Sequence, residues 1–259
     1  MMFGNEPYVW VIVIVGVLGI PVLTSVALFN AATAAGLARR TATTVAVAVS
    51  AVLIGWAVTV ALLARADAFR QDPVALRPWF PLAFAGAVVV PLLATRIPVL
   101  SRILAAPGLP VRLVWPQALR VVGGVFLIAL ALGQLPAVFA VPAALGDIAV
   151  GLSAPFVARR ATRARLVWFN VLGLVDLVTA VSLGFLAGLG PVRLLAVTPS
   201  TAAATLLPLV LIPLAGVPLV ATLHMLSLRQ LYAKQKASHQ RDRGNFSDLP
   251  DKSGQMAVG

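Results

Sequence analysis

The sequence predicts an all-α, polytopic integral membrane protein, built as a bundle of seven transmembrane helices. Three observations support this class. Of the 259 residues, 60% are hydrophobic and only 11% are charged, whereas ordinary globular domains carry about 25% charged residues. Seven apolar segments approach the roughly 20 residues that a helix needs to cross a hydrocarbon core of about 30 Å. The lysines and arginines fall mostly between these segments.

The predicted spans follow one another along the chain with short connections. Together, residues 1–232 form the predicted transmembrane domain. Residues 233–259 are polar and lack an apolar period, so we expect them to form a disordered cytoplasmic tail. The first span follows a leader without a basic residue, and we expect it to remain as a helix. The spans cover about 8–31, 41–63, 80–95, 118–133, 137–157, 166–189 and 205–228.

The third and fourth spans are the shortest of the seven. The loops beside them, around 73–78 and 97–116, are rich in proline and partly apolar. Such composition is typical of segments that lie at the membrane interface.

The distribution of basic residues predicts the orientation. Most of the 20 lysines and arginines lie in the tail and in the loops after the first, third and fifth spans. Because short cytoplasmic loops retain positive charge, the N-terminus is expected outside and the C-terminus in the cytoplasm. We expect a multi-pass protein of the plasma (inner) membrane, and the excess of arginine over lysine suggests a bacterial source.

Composition also narrows the cofactors and partners. Without cysteine, the chain cannot form disulfides or thiolate metal sites. The net charge of +12 does not predict nucleic-acid binding, because the basic residues do not cluster with aromatic ones. We therefore expect no metal and no cofactor, with the lipid bilayer and a small-molecule or lipid substrate as partners. The oligomeric state stays open.

Two acidic residues, Asp147 and Asp176, interrupt the fifth and sixth spans. Asp147 is about ten residues from either end of its span, which places it about 15 Å deep. A carboxylate at that depth costs at least about 2.5 kcal/mol on insertion scales, so both acids should face the bundle interior and have a partner. Desolvation favours the neutral form, in which either acid can donate a hydrogen bond.

Small residues lie on the same sides of these two helices as the acids. Because small stripes let helix backbones approach closely, we expect the fifth and sixth helices to pack together with both acids at or near their seam. The predicted packing residues are Gly151, Gly173, Gly184 and Gly188, of which the last two form a GxxxG step.

Three further polar residues lie towards the predicted cytoplasmic side. His224 is near the end of the seventh span, Asn170 near the start of the sixth, and Arg120 at the start of the fourth. Together they predict a polar vestibule below the acids, open to the cytoplasm. Arg120 is its weakest member, because an arginine at a helix end usually extends to the interface.

Prolines recur at steps of five in the seventh span, at Pro208, Pro213 and Pro218. An interior proline removes a backbone hydrogen bond and bends the helix. The result is either a static kink or, as in the broken helices of transporters, a cavity wall or hinge.

These patterns support three functional hypotheses. The leading one is a small-solute or proton-coupled transporter with Asp147 and Asp176 as midplane sites. A membrane-embedded enzyme is the first alternative; it would act on a lipid or isoprenoid and use a neutral aspartic acid as general acid. The second alternative is a structural or accessory subunit in which the acids only join helices by hydrogen bonds. We favour the non-enzymatic hypotheses.

Overall fold

The computed structural model describes residues 6–73, 77–190 and 193–247, and no strand occurs among them. The all-α prediction is therefore confirmed for this part of the chain. The helices are α1 (Pro7–Ala34), α2 (Arg39–Arg65), α3 (Trp79–Ala94), α4 (Pro98–Leu104), α5 (Leu109–Arg112), α6 (Val125–Ala131), α7 (Ala137–Arg159), α8 (Arg163–Leu186) and α9 (Val217–Ser247).

Three tighter or wider helical turns complete these elements. Trp115–Gly124 and Thr201–Thr205 are 3-10 helices, and Ile212–Gly216 is a π-helix that leads directly into α9. The first of them, which we call the 3-10 segment, joins α5 to α6.

Six helical stretches in the described residues are long and apolar enough to cross a membrane: Pro7–Ala34, Arg39–Arg65, Leu109–Ala131, Ala137–Arg159, Arg163–Leu186 and Ile212–Ala233. A seventh candidate is the pair formed by α3 and α4, which meet at an angle of 87°. The prediction of an apolar helical bundle is confirmed at this level, with six to seven candidate spans.

The fourth span is longer than the sequence predicts. The chain is helical from Leu109 to Ala131, not only over 118–133, so most of the expected interface loop at 97–116 is helical. Three of its four prolines, Pro98, Pro110 and Pro116, stand in the first turns of helical segments, where a missing N–H costs no hydrogen bond. Gly108, with φ of 74°, separates α4 from α5 by adopting a left-handed conformation that favours glycine.

The seventh span begins later than predicted. Residues 206–210 form a bend and turns before the last helical stretch, so Pro208, which follows a cis peptide bond, does not lie in a helix. Pro213 lies in the π-helix and Pro218 in the first turn of α9. The carbonyl of Leu214, four residues before Pro218, accepts a hydrogen bond from Trp56 Nε1 at 2.7 Å.

The last helix also extends beyond the prediction. α9 continues to Ser247, so residues 233–247 are helical where the sequence predicts disorder. Alanine, lysine, arginine and glutamine in this stretch are all good helix formers. The rest of the predicted tail, 248–259, lies outside the described residues.

The core lies around α1 and the 3-10 segment. Half of the most apolar stretch of α1 is buried inside the protein, whereas only 11% of that of α2 is buried. α2 is therefore peripheral. α7 packs against the 3-10 segment and against α8, and α8 packs in turn against α9. The residues of the ion cluster inside this core come from the 3-10 segment, α7, α8 and α9.

Candidate functional site

Arg120 is the centre of a buried ion cluster. Its side chain is only 2% exposed. Nε donates a hydrogen bond to Asp147 Oδ1 at 2.7 Å, and Nη2 donates to Asp176 Oδ2. The expectation that Arg120 extends to the interface is therefore wrong: it lies within the span and joins the 3-10 segment to α7 and α8.

The two acids reach Arg120 from the middle of their helices. Asp147 lies halfway along α7 and Asp176 just past the middle of α8. Their side chains are 14% and 15% exposed. The planar guanidinium presents donors in several directions, which lets one arginine bind two carboxylates. The acids thus meet through Arg120, and not directly across the α7–α8 seam.

A hydrogen-bonded chain continues from Arg120 on the side away from the acids. Arg120 Nη1 lies 3.3 Å from His224 Nε2, and His224 Nδ1 lies 2.9 Å from Asn170 Oδ1. Asn170 Nδ2 then donates to Ser227 Oγ at 2.9 Å and to the Leu166 carbonyl at 2.6 Å. This chain joins three elements of the fold: the 3-10 segment, α8 and α9.

The direction of these hydrogen bonds follows from the chemistry of the groups. Arginine can only donate, so His224 Nε2 accepts, and Nδ1 must carry the proton that it donates to Asn170 Oδ1. Each donor in the chain thus faces an acceptor on the next residue. His224 is fully buried, and Asn170 and Arg120 are each 2% exposed. The prediction of a vestibule open to the cytoplasm is therefore wrong: these residues form a closed polar chain.

Three glycines provide the space for this cluster. A Cβ atom at Gly123 would overlap the carboxylate of Asp147, one at Gly146 would overlap that of Asp176, and one at Gly173 would overlap the ring of His224. Gly173 was predicted to contact a neighbouring helix, and it does so through this ring. Gly123 and Gly146 were missed, although Gly146 directly precedes Asp147 in the sequence.

The other predicted packing glycines have different neighbours. A Cβ at Gly151 would lie 2.7 Å from the backbone nitrogen of Val121, so this glycine lets α7 approach the 3-10 segment and not α8. At Gly184 a Cβ would make an ordinary contact of 3.5 Å with Phe139. Gly188 follows the end of α8, beside Gln71. The GxxxG step therefore does not form one face of a helix.

Two buried polar residues next to the cluster were also missed. Ser227 is three residues after His224, and Gln117 is three residues before Arg120. Gln117 is 1% exposed, and its Nε2 donates to the Val220 carbonyl at 3.2 Å. The available signal was the spacing, because residues three apart share a helix face.

A cavity of about 70 Å³ borders the cluster on the side of Asp147. Two edge-to-face pairs of phenylalanines form part of its wall: Phe80 with Phe185, whose ring centroids are 5.8 Å apart, and Phe126 with Phe139, at 5.3 Å. Further wall residues are Phe84, Leu177, Thr201, Thr205, Ile212 and Pro213. Pro213 and its π-helix thus lie at the cavity, whereas Pro218 is not among the residues that line it.

Within the described residues, no three of the histidine and acidic side chains come together as a metal site. The polar core is instead organised by the guanidinium of Arg120. The fold and this site define a class: an apolar helical bundle with a buried arginine paired to two mid-helix carboxylates, beside a cavity lined by aromatic residues.

Comparison with known proteins places the chain in a family. Residues 77–232 match a family model described as a domain of unknown function, DUF8737. This match covers more than half of the chain, and the protein belongs to that family. No curated protein and no solved structure matches the chain. The matched region begins before α3, so it contains the whole ion cluster and its hydrogen-bonded chain but neither α1 nor α2.

Proposed function

We propose that this protein is a proton-coupled carrier of a small solute, with Arg120, Asp147 and Asp176 as its central site. The observation that carries the proposal is the buried arginine paired with two carboxylates, one of which borders a cavity. Buried ionisable groups are costly, and in membrane helices they mark ion and substrate pathways more often than simple packing.

The charge balance of the cluster supports coupling to protons. With both acids ionised, one arginine and two aspartates carry a net charge of −1. A buried charge must be compensated, so the cluster favours one additional proton or cation. Gain and loss of that single charge is the elementary event of a proton-coupled carrier.

The same ion pairs supply a way to change conformation. Arg120 joins three elements by ion pairs, so releasing one carboxylate removes the ion pair that links α7 or α8 to the 3-10 segment. A ligand shifts such an equilibrium only through its different affinity for the two states. A proton or solute bound at Asp147 has that property, because it competes with Arg120 for the same carboxylate.

The proposed setting is the plasma (inner) membrane of a bacterium, crossed seven times with the N-terminus outside. α3, at 16 residues, is short for a span. Arg96 and Arg102, which follow it, favour its crossing because positive charge is retained in the cytoplasm. Arg120 lies inside a span and no longer counts among the basic residues of the cytoplasmic loops. The other lysines and arginines still lie mostly on the proposed cytoplasmic side.

The test is proton movement in proteoliposomes that hold a pH-sensitive dye. Propylammonium, propanol and propionate are added outside in separate runs, so that a cation, a neutral molecule and an anion are compared. Propylamine and propionic acid cross a bilayer as neutral molecules and carry protons with them, so the flux of protein-free liposomes is subtracted. We expect proton flux above this background with at least one of the three solutes, and we expect Asp147→Asn to reduce that excess at least tenfold. The matched control is Asp67→Asn, because Asp67 is an exposed acid outside the cluster.

Two results would overturn the proposal. One is wild-type protein without flux for any of the three solutes. The other is full flux in both Asp147→Asn and Asp176→Asn, which would favour the structural hypothesis. Turnover of a lipid in detergent, without any gradient, would instead favour the membrane-embedded enzyme.

A further inference from the structure

We infer that the cavity beside Asp147 binds a small organic monocation, with its ammonium group on the carboxylate and its apolar body among the phenylalanines. This inference rests on the site of the proposed function and names the class of solute. It follows from the cavity wall, its hydrogen-bonding groups, its charge and its size.

The wall presents aromatic rings to the space above the acid. Phe80, Phe84, Phe126, Phe139 and Phe185 all border the cavity. Aromatic ring faces attract cations, and the attraction grows when water is excluded. Phenylalanine offers no hydrogen bond of its own, so these residues favour a ligand whose body is apolar.

The hydroxyl protons of the two threonines in the wall are donated in hydrogen bonds to backbone carbonyls. Thr201 Oγ1 donates to the Gly184 carbonyl at 2.6 Å, and Thr205 Oγ1 donates to the Ala202 carbonyl at 2.8 Å. Each hydroxyl can therefore only accept a further hydrogen bond. Together with the Asp147 carboxylate, these hydroxyls offer acceptors to a ligand that donates, as an ammonium group does. The side-chain donor of the wall is the amide of Gln71, whose Oε1 accepts from the Leu189 N–H at 2.6 Å.

The charge of the cavity wall also favours a cationic ligand. Asp147 is the charged residue that lines it, whereas Arg120 and Asp176 lie behind it. An anion would meet a carboxylate in a site of low polarity, which costs free energy because like charges repel strongly there. A monocation neutralises the net charge of −1 on the cluster, as one proton does. The monocation and the proton therefore compete for binding.

The volume has room for a small solute of several heavy atoms. On the same measure one water needs about 10–15 Å³, and the cavity measures about 70 Å³. A short alkylammonium ion such as propylammonium suits this space. The neutral isostere propanol and the anion propionate match it in size but not in charge.

The experiment is calorimetric titration of the purified full chain in nanodiscs with propylammonium, propanol and propionate. We expect saturable binding of propylammonium, with propanol and propionate at least tenfold weaker. The affinity should fall as the pH is lowered, because protons compete. Asp147→Asn should weaken propylammonium binding at least tenfold, and Asp67→Asn should leave it unchanged.

A second variant keeps the test informative if Asp147→Asn fails to fold. Phe84→Leu retains an apolar wall but removes one ring, so it should weaken propylammonium binding several-fold without changing that of propanol. Equal binding of propylammonium and propanol, or unchanged binding in both variants, would overturn the inference. Binding without proton flux would contradict only the carrier proposal, whereas flux with another solute and no propylammonium binding would contradict only this inference.

Discussion

The two sides of Arg120 differ in how their polar groups are satisfied. On one side, His224, Asn170 and Ser227 are almost fully buried, and each accepts or donates in a fixed direction. On the other side, Asp147 and Asp176 keep part of their surface exposed, and Asp147 borders a cavity. A closed network of this kind fixes a structure, while an incompletely covered acid can exchange its partner. Under the proposed function, the closed side provides stability and the side of Asp147 exchanges ligands.

The largest effect is expected from Arg120→Gln, which removes the residue common to both sides. Two carboxylates would then lie in the core without their cation. Breaking a buried ion pair by removing one partner costs about 3–5 kcal/mol, so the unfolding midpoint in denaturant should drop sharply. Arg120→Lys keeps the positive charge, but lysine has no planar fork of donors to reach both acids. Its unfolding midpoint should lie between those of the wild type and Arg120→Gln. Wild-type stability in Arg120→Gln would show that the ion cluster does not hold the helices together.

A smaller effect is expected from His224→Leu, which tests the closed side alone. The substitution keeps an apolar side chain of similar size but leaves the Asn170 carbonyl oxygen and an Arg120 donor without a partner. Leaving a buried polar group unsatisfied costs about 1–3 kcal/mol. Stability should fall by that amount, while proton flux in the folded fraction should remain within twofold of wild type. A loss of flux at unchanged stability would reverse the assignment of the two sides.

The smallest effect is expected from Gly146→Ala, which disturbs the side of the acids. The added Cβ would overlap the Asp176 carboxylate, which must shift away from its present position. Overpacking of this kind typically costs about 1–3 kcal/mol, and we expect the lower end because the overlapping oxygen, Oδ1, is not the one that accepts from Arg120. The matched control is Gly184→Ala, where the new Cβ makes only an ordinary contact. Equal unfolding midpoints for the two variants would contradict the close approach of α7 and α8 at this point.

The sequence predicts the helical class and the long spans because their signal extends over about 20 residues. The depth of Asp147 and Asp176 follows from those spans. The role of Arg120 does not, because it depends on where the fourth span begins. With a start near 118, Arg120 lies at a helix end; with a start at Leu109, it lies eleven residues after the start, in the middle of the span.

The irregular segments could not be predicted for a related reason. Proline predicts a loop, a first helical turn or a bend with similar local patterns. Pro110 and Pro116 lie in first helical turns, whereas Pro208 lies in a turn before the last span, and the choice depends on packing partners that are distant in the sequence. Hydrogen-bonded partners such as His224 and Asn170 are likewise 54 residues apart.

The 3-10 segment has a geometric consequence for the whole bundle. With three residues per turn, side chains three apart stand directly above one another, so the segment is a three-faced column. One face carries Gln117, Arg120 and Gly123 towards α7, α8 and α9. The second presents Leu119 and Val122 to two glycines of α1, and the third lays Ala118 and Val121 on Gly151 of α7. Winding the same residues as an α-helix would rotate each by about 20° relative to the one before, so the three faces would lose their register together and Arg120 would turn away from its acids.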